Sequence, residues 1–148
     1  MNKFLDCDAL IVGGGLAGAA SALSLADAGF DVILLDAGGA TAEDAAEFDG
    51  RAYAVALASQ RFWAAIGVWD RVAAEAEPMA DILVSDGKVD EGASPLFLHL
   101  DHRETDDGVY GYMVEDRHLR PAVLAAIDDH ERVEQRAGRV TTVDYGPG

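Results

Sequence analysis

The chain has 148 residues, 50% of them apolar, which is enough for one domain with a hydrophobic core. Its 27 acidic residues outnumber the 11 basic ones, and a net charge of −16 argues against a nucleic-acid partner, which needs a basic surface. The acids are spread along the chain, which favours a solubilising acidic surface. A docking face for a basic partner is the alternative.

The sequence also predicts a cytoplasmic protein. It contains no apolar run long enough to cross a membrane, and the N-terminal segment MNKFLDCDAL places acids where a signal peptide is apolar. The single cysteine, Cys7, excludes an internal disulfide and fits a reducing compartment. We expect this thiol to be inert, because no basic neighbour in the sequence activates it.

The N-terminal segment predicts two parallel strands joined by a helix. The run ALIVGG predicts a buried strand that ends at Gly13, and the spacing of apolar residues predicts a helix over Leu16–Gly29. FDVILLD predicts a second apolar strand over Phe30–Asp36. This order is that of a right-handed βαβ unit.

Residues 37–50 are small and acidic and predict a surface loop. Helical spacing resumes over residues 54–72, where Gly67 is expected to break the segment and Pro78 to close it. The predicted apolar face of this segment consists of Phe62, Ile66, Trp69 and Val72. We expect Trp63 and Trp69 to pack in the core.

The C-terminal half predicts a strand ribbon, a helix and further strand. DILVSD and PLFLHLD predict an antiparallel pair joined by the polar turn GKVDEGAS. The next segment predicts a helix with Leu119, Val123 and Ile127 on its apolar face, in which Pro121 is tolerable if the helix starts just before it. RVEQRAGRVTTVDY predicts one or two short strands.

Gly13, Gly15 and Gly18 form the pattern G-x-G-x-x-G between the first strand and the helix, which is where a dinucleotide fingerprint lies. Gly13 would make the tight turn, Gly15 would let a pyrophosphate touch the backbone, and Gly18 would let the helix pack closely. Backbone N–H groups at the start of the helix, including those of Leu16 and Ala17, would meet the phosphate charge.

Asp36 ends the second predicted strand, where an acid accepts hydrogen bonds from the adenosine ribose and disfavours NADP. The fingerprint alone leaves FAD and NAD open. The acidic loop, helix and ribbon that follow Asp36 favour FAD, because a nicotinamide-binding domain usually continues with alternating helices and strands.

Three segments together resemble the N-terminal part of the FAD-dependent aromatic hydroxylases, the group A flavoprotein monooxygenases. They are GGGLAGAASALSLADAGFDVILLD, DGRAYAVALASQRFWAAIGVWDRV and YMVEDRHLRPAVLAAI. Within that group, the chain is most similar to the ubiquinone-biosynthesis hydroxylases of the 2-octaprenyl-6-methoxyphenol type. The resemblance covers about residues 5–145, and the second segment is the most specific to this branch.

The resemblance implies an α/β fold, in which a flavin-type Rossmann-like domain carries part of an inserted β-sheet substrate domain. We expect the FAD-binding domain over 1–76, the inserted ribbon over 77–112, and a return to the FAD-binding domain over 113–148. The family's later Asp-Gly and Gly-Asp motifs do not occur before Gly148. We therefore expect a truncated, N-terminal portion that is inactive by itself.

The resemblance also implies the site and the reaction. It places Gly13, Gly15, Gly18 and Asp36 on the adenosine diphosphate part of FAD, Arg51 beside the flavin and Arg117 near the cofactor; no catalytic residue is predicted. The implied reaction is a hydroxylation that uses FAD, NAD(P)H and O2 on a small aromatic or polyprenyl phenol. Contact with the inner membrane, a biosynthetic complex or a homo-oligomer would suit such a substrate.

Two other hypotheses about the function remain open at this point. One is a different FAD- or NAD-linked oxidoreductase, and the other is a non-catalytic dinucleotide-binding module.

His99, Asp101 and His102 in LHLDH offer metal-binding atoms, but no His or Cys elsewhere has ligand spacing, so surface polar residues and no metal are expected. Tyr110 and Tyr112 flank a glycine, where core packing and pocket lining are not distinguished by sequence.

Overall fold

The computed structural model describes residues 6–38, 48–88, 90–106 and 108–146. Helices and strands are mixed along the chain, as the sequence predicts. In chain order the elements are β1 (Ala9–Val12), α1 (Leu16–Asp27), β2 (Val32–Asp36), β3 (Ala52–Ala56), α2 (Leu57–Ala65), β4 (Glu77–Pro78), β5 (Asp81–Lys88), β6 (Gly92–Asp101), β7 (Gly111–Glu115), α3 (Asp116–Asp128) and β8 (Val133–Ala137). Short 3-10 turns cover Trp69–Arg71, Ala73–Glu75 and His102–Glu104.

Strands β1, β2 and β8 form a parallel sheet in that order, and α1 packs against it. β1 pairs directly with β2, so the predicted βαβ unit is confirmed. The prediction that β1 is buried on both faces is wrong, because the side chains of Leu10 and Val12 are 55% and 62% exposed. Their neighbours Ala9 and Ile11 face the core, which gives β1 the alternation of a strand covered on one face.

A second sheet, in the order β3-β7-β4, holds a strand that the sequence pattern does not reveal. Residues 54–56 were expected to be helical, yet they belong to β3, where Val55 lies opposite Tyr112 of β7. The alanines of this segment favour a helix locally, but pairing with β7 overrides that weak preference. Helix α2 therefore starts at Leu57.

The predicted apolar face of this segment is confirmed at Ile66, Trp69 and Val72, which are all buried, and is wrong at Phe62. Phe62 is 42% exposed, whereas Trp63 is buried and only 8% exposed. The expected break at Gly67 is confirmed by its φ of +72°, and beyond it the chain turns into a 3-10 segment. Trp69 lies in this 3-10 segment and is buried in the core. Its ring lies 5.0 Å from that of Tyr112.

Strands β5 and β6 form a separate antiparallel ribbon, as predicted. Both strands run further towards the turn than expected, since Lys88 pairs with Gly92. At the opposite end, Asp81 lies across from Asp101, so the ribbon brings two carboxylates together. Large apolar side chains of the ribbon are exposed, among them Leu96 at 82% and Phe97 at 63%.

Helix α3 buries Leu119, Val123 and Ile127, as predicted, and packs against α1. It starts at Asp116, so the condition that the helix start just before Pro121 is not met. Pro121 lies in the second turn, where it removes one backbone donor but fits the helical φ. One strand, β8, follows, and residues 138–146 contain none. Within the described residues, no helix combines the length and the apolar character required to cross a bilayer.

Candidate dinucleotide site

The glycine-rich turn between β1 and α1 is held in a shape that only glycine fits at two positions. Gly13 has φ +107°, and its N–H donates to the Leu35 carbonyl over 2.8 Å. A Cβ atom at Gly18 would lie 1.8 Å from the Gly13 carbonyl oxygen, far inside van der Waals contact. The first turn of α1 therefore lies directly against the loop, as the fingerprint predicts.

The N-terminus of α1 is open towards solvent. Gly15 is its N-cap residue, and no side chain caps the helix in the part of the chain that the structure describes. A Cβ atom at Gly15 would meet no described atom within 4 Å. The N–H groups of Leu16 and Ala17 belong to the first turn, which has no intrahelical acceptors for its donors. These donors and the positive end of the helix dipole fit a phosphate group.

Asp36 stands beside this loop at the end of β2. Its Oδ2 atom accepts the Gly14 N–H over 2.7 Å, and its Oδ1 atom accepts the Gly38 N–H over 2.8 Å. Each carboxylate oxygen has a second lone pair, so hydroxyl donors of a ligand fit the same group. The structure thus brings together the predicted residues Gly13, Gly15, Gly18 and Asp36 at the carboxyl ends of β1 and β2.

Arg51 belongs to a different group of contacts, which centres on the buried carboxylate of Asp116. Arg51 Nη2 lies 2.9 Å from Asp116 Oδ2, and Arg51 Nε donates to Asp49 Oδ2 over 2.5 Å. The Tyr53 hydroxyl donates to Asp116 Oδ1 over 2.8 Å, and Arg120 Nε donates to Oδ2 over 3.0 Å. Arg51 keeps 55% of its side chain exposed, whereas the side chain of Asp116 is 4% exposed.

Burial alone would raise the pKa of Asp116, but hydrogen bonds from Arg120 and Tyr53 outweigh burial, and the pKa falls below its usual range. The carboxylate is therefore charged at neutral pH and compensated by two guanidinium groups. Sequence reasoning missed Asp116. One signal was available, because Asp116 and Arg120 have the i,i+4 spacing of a helical ion pair.

Arg117 points away from Asp116. Its Nε atom donates to Glu115 Oε2 over 2.5 Å, and its guanidinium lies 5.1 Å from the centre of the Phe48 ring. It lines an open pocket of about 290 Å³. The other lining residues are Ala52, Glu75, Glu77, Met113, Val114, Glu115 and His118.

The residues of LHLDH differ in one respect from the surface polar set that the sequence predicts. Asp101 is buried and only 8% exposed, and hydrogen bonds from Arg103 lower its pKa well below the usual range. The Nδ1 atom of His102 lies 3.6 Å from Asp101 Oδ1. β6 ends at Asp101, and His102 starts the following 3-10 turn. Ligand atoms of Asp81, His99 and Asp101 lie within 4.8 Å of one another.

The tyrosines that the sequence left undecided have separate roles. The Tyr112 ring packs on Trp69 beside the core, and the Tyr110 hydroxyl donates to the Asp101 carbonyl over 3.1 Å. Trp63 and Trp69 are both buried, which confirms the prediction of core packing. Cys7 is half-buried and makes no disulfide.

A parallel βαβ unit, an open helix N-terminus and an acid at the end of the second strand define a dinucleotide-binding α/β protein. The profile described as FAD binding domain matches residues 6–140, and the chain belongs to this family. FAD is therefore the cofactor, as the segments after Asp36 predict.

Two curated relatives of this chain are ubiquinone hydroxylases, which supports the resemblance to that family. Ubiquinone hydroxylase UbiL of Rhodospirillum rubrum is 47% identical over 120 residues, which cover 81% of this chain and 27% of the relative. The 3-demethoxyubiquinol 3-hydroxylase of Escherichia coli is 34% identical over 132 residues, which cover 85% of this chain and 31% of the relative. The chain thus spans less than a third of the length of these two relatives.

Solved structures show the same fold. The crystal structure of p-nitrophenol 4-monooxygenase PnpA from Pseudomonas putida DLL-E4 superimposes with a TM-score of 0.60 at 20% identity. The match covers 87% of this chain and 31% of that structure. At this identity, the likeness establishes the flavin-binding monooxygenase fold and assigns no substrate.

Proposed function

We propose that the carboxyl ends of β1 and β2, together with the N-terminus of α1, bind the adenosine diphosphate part of FAD. The N–H groups of Gly15, Leu16 and Ala17 bind the pyrophosphate, and Asp36 accepts hydrogen bonds from the adenosine ribose. The observation that carries this assignment is the open space at Gly15, next to a helix N-terminus that no described side chain caps. Gly13 and Gly18 give the backbone the shape that this approach requires.

Arg51 and Arg117 belong to the cofactor side of the same proposal. A guanidinium offers five donors in a planar fork, and more than half of the Arg51 side chain is exposed although Asp49 and Asp116 hold it. Arg51 therefore has donors to offer to the flavin or to a substrate beside it. Arg117 offers the same chemistry from the wall of the open pocket near β7.

The intact protein, we propose, hydroxylates the aromatic ring of a ubiquinone precursor. The support is the similarity to the ubiquinone hydroxylase of Rhodospirillum rubrum over 81% of this chain, together with the FAD binding domain profile. When bound, FAD would pass two electrons from NAD(P)H to O2, so that one oxygen atom enters the ring and the other leaves as water. The residues described here bind and orient the cofactor.

The proposed substrate class bears on where the protein works. A polyprenyl phenol partitions into lipid, so a cytoplasmic enzyme must collect it at the inner membrane or from a partner in a biosynthetic complex. We propose peripheral contact of this kind.

The experiment is a turnover assay on the full-length protein under isotopically labelled O2. Purified protein is supplied with NADH or NADPH and a prenylated phenol, and the product is analysed by mass spectrometry. The proposal expects a flavin absorption band, NAD(P)H consumption that the phenol stimulates, and one labelled oxygen atom on the ring.

Two other results would replace the proposal. NAD(P)H consumption without labelled product would indicate another kind of flavin-linked oxidoreductase. A stable flavin band without any NAD(P)H consumption would indicate a non-catalytic dinucleotide-binding module.

A further inference from the structure

The carboxylate of Asp116 is buried and satisfied from several directions. Asp116 is the first residue of α3 and is 3% exposed. Its side chain accepts hydrogen bonds from Tyr53 over 2.8 Å, from Arg51 over 2.9 Å and from Arg120 over 3.0 Å. A buried charge survives in a fold only when partners of this kind compensate for its desolvation.

The same residue also fixes the backbone that carries Arg51. The Asp116 N–H donates to the Arg51 carbonyl over 3.0 Å, directly before the ladder in which Ala52 pairs with Glu115. Arg51 is thus held at its main chain and at its guanidinium by one residue that lies 65 positions later in the chain. These contacts connect the start of β3 to the start of α3.

Arg51 is oriented by these contacts without being enclosed by them. Its Nε and Nη2 atoms contact Asp49 and Asp116, and 55% of its side chain remains exposed. A free arginine side chain samples many rotamers, and fixing it in advance reduces the entropy lost when a ligand binds. Asp116 itself is too deeply buried to meet a ligand.

We propose that Asp116 is a positioning residue, which holds the guanidinium of Arg51 in the orientation that contacts FAD. The inference rests on the proposed function, because Arg51 is assigned to the cofactor there. It adds a residue that touches neither cofactor nor substrate and acts through Arg51 alone. Arg120 serves it from the same helix, because its Nε atom donates to Asp116 Oδ2 over 3.0 Å and holds the carboxylate in place.

The test is a double-mutant cycle on the full-length protein, in which apoprotein is titrated with FAD and the dissociation constant is read from flavin fluorescence. The variants are Asp116→Asn, Arg51→Ala and the pair combined. Asp116→Asn is expected to weaken FAD binding roughly tenfold, the size of one charge-assisted hydrogen bond. In the Arg51→Ala background, the same substitution should change the constant by no more than about twofold, because nothing is left to position.

Tyr53→Phe is the matched control, because it removes one hydrogen bond to Asp116 and leaves the Arg51 contact in place. It should bind FAD as the wild-type protein does, while its urea midpoint falls. If Asp116→Asn does not fold, the cycle is run with Asp116→Glu. This variant keeps the charge and displaces the carboxylate by one carbon–carbon bond, about 1.5 Å. It should weaken FAD several-fold with Arg51 present and leave the dissociation constant unchanged without it.

Equal effects of the Asp116 substitution in both backgrounds would overturn the inference, since Asp116 would then act on the fold at large. Wild-type affinity in folded Asp116→Asn would overturn it as well. If Gly15→Val abolishes FAD binding while Arg51→Ala leaves it intact, the proposed cofactor site stands and the positioning role fails. If the wild-type protein does not bind FAD, both fail together.

Discussion

Gly13, Gly15 and Gly18 meet different requirements of the same loop. Gly13 supplies a positive φ, Gly18 allows the helix to touch the loop, and Gly15 leaves room in front of the helix N-terminus. The first two are requirements of the fold, whereas the third is a requirement of a ligand. Substitutions at these positions should therefore separate stability from binding.

At the residue scale, Gly18→Ala should destabilise the protein by about 1–3 kcal/mol, the usual cost of overpacking, because its Cβ would lie 1.8 Å from the Gly13 carbonyl oxygen. Gly15→Ala should cost at most about 1 kcal/mol, since alanine is only a poorer N-cap than glycine. Urea unfolding followed by circular dichroism measures both. Equal losses for the two variants would mean that the loop has another conformation.

Asp36 allows a second residue-scale prediction. Asp36→Ala should weaken FAD binding by roughly 1–3 kcal/mol, because it removes a charged hydrogen-bond acceptor. Titration of apoprotein with FAD measures the change. Asp31→Ala is the control, because Asp31 is exposed just before β2 and pairs with Arg132 instead. Equal dissociation constants for both variants would contradict a contact between Asp36 and FAD.

At the element scale, α2 offers a direct comparison of neighbouring aromatic residues. Trp63 is 8% exposed and Phe62 is 42% exposed. Trp63→Ala should therefore cost about 3–5 kcal/mol of unfolding free energy, the range for large aromatic residues in a core. Phe62→Ala should cost less than about 1.5 kcal/mol, mostly for its ring contact with Trp63. The reverse order in chemical denaturation would show that the helix buries Phe62 instead of Trp63.

Two carboxylates, Asp101 at the end of β6 and Asp116 at the start of α3, should make the free energy of unfolding depend on pH in the acid range. Asp101 and Asp116 both have folded-state pKa values below the ordinary 3.8. A carboxyl group with a lowered folded pKa stabilises the fold above its unfolded pKa and loses that contribution as the pH falls. The free energy of unfolding should therefore decrease as the pH is lowered below about 5. Asp101→Asn should show a shallower decrease in urea titrations at several pH values, and an unchanged slope would contradict the assignment.

Elements with a strong local signal could be predicted from sequence. Gly29, with φ +96°, ends the α1 region where predicted, and the apolar spacing of α3 is buried as expected. β3 could not be recognised, because Ala52–Ala56 is alanine-rich and becomes a strand only by pairing with β7, more than 50 residues later. Only Phe62 was misplaced on the predicted face of this segment, because the buried aromatic residue of α2 is its neighbour Trp63.

At the scale of the whole molecule, exposed apolar surface is concentrated on the parallel sheet and the ribbon. Val12, Leu96 and Phe97 are each more than 60% exposed. Surface of this kind promotes association. We expect the 148-residue chain to self-associate in light scattering, and the pair Leu96→Lys with Phe97→Lys to reduce its mass towards the monomer. A monomer at all concentrations before substitution would contradict this expectation.

The candidate site divides in the same way between local and distant information. The glycine loop and Asp36 lie within 24 residues of one another, so spacing and residue type were enough to predict their proximity. The contacts of Arg51 with Asp116 span 65 residues, and no local pattern carries them. Whether Arg51 and Arg117 contact FAD stays a prediction, as do the domain boundaries at 76 and 112.

The central claim is that the open N-terminus of α1 binds the pyrophosphate of FAD, and Gly15→Val tests it most directly. The measurement is the visible absorption spectrum of the purified full-length variant beside that of the wild-type protein, with circular dichroism to show that both are folded. The isopropyl group would fill the space in front of the helix, so we expect a folded protein without a flavin band. A folded variant that retains the flavin band at wild-type occupancy would contradict the claim.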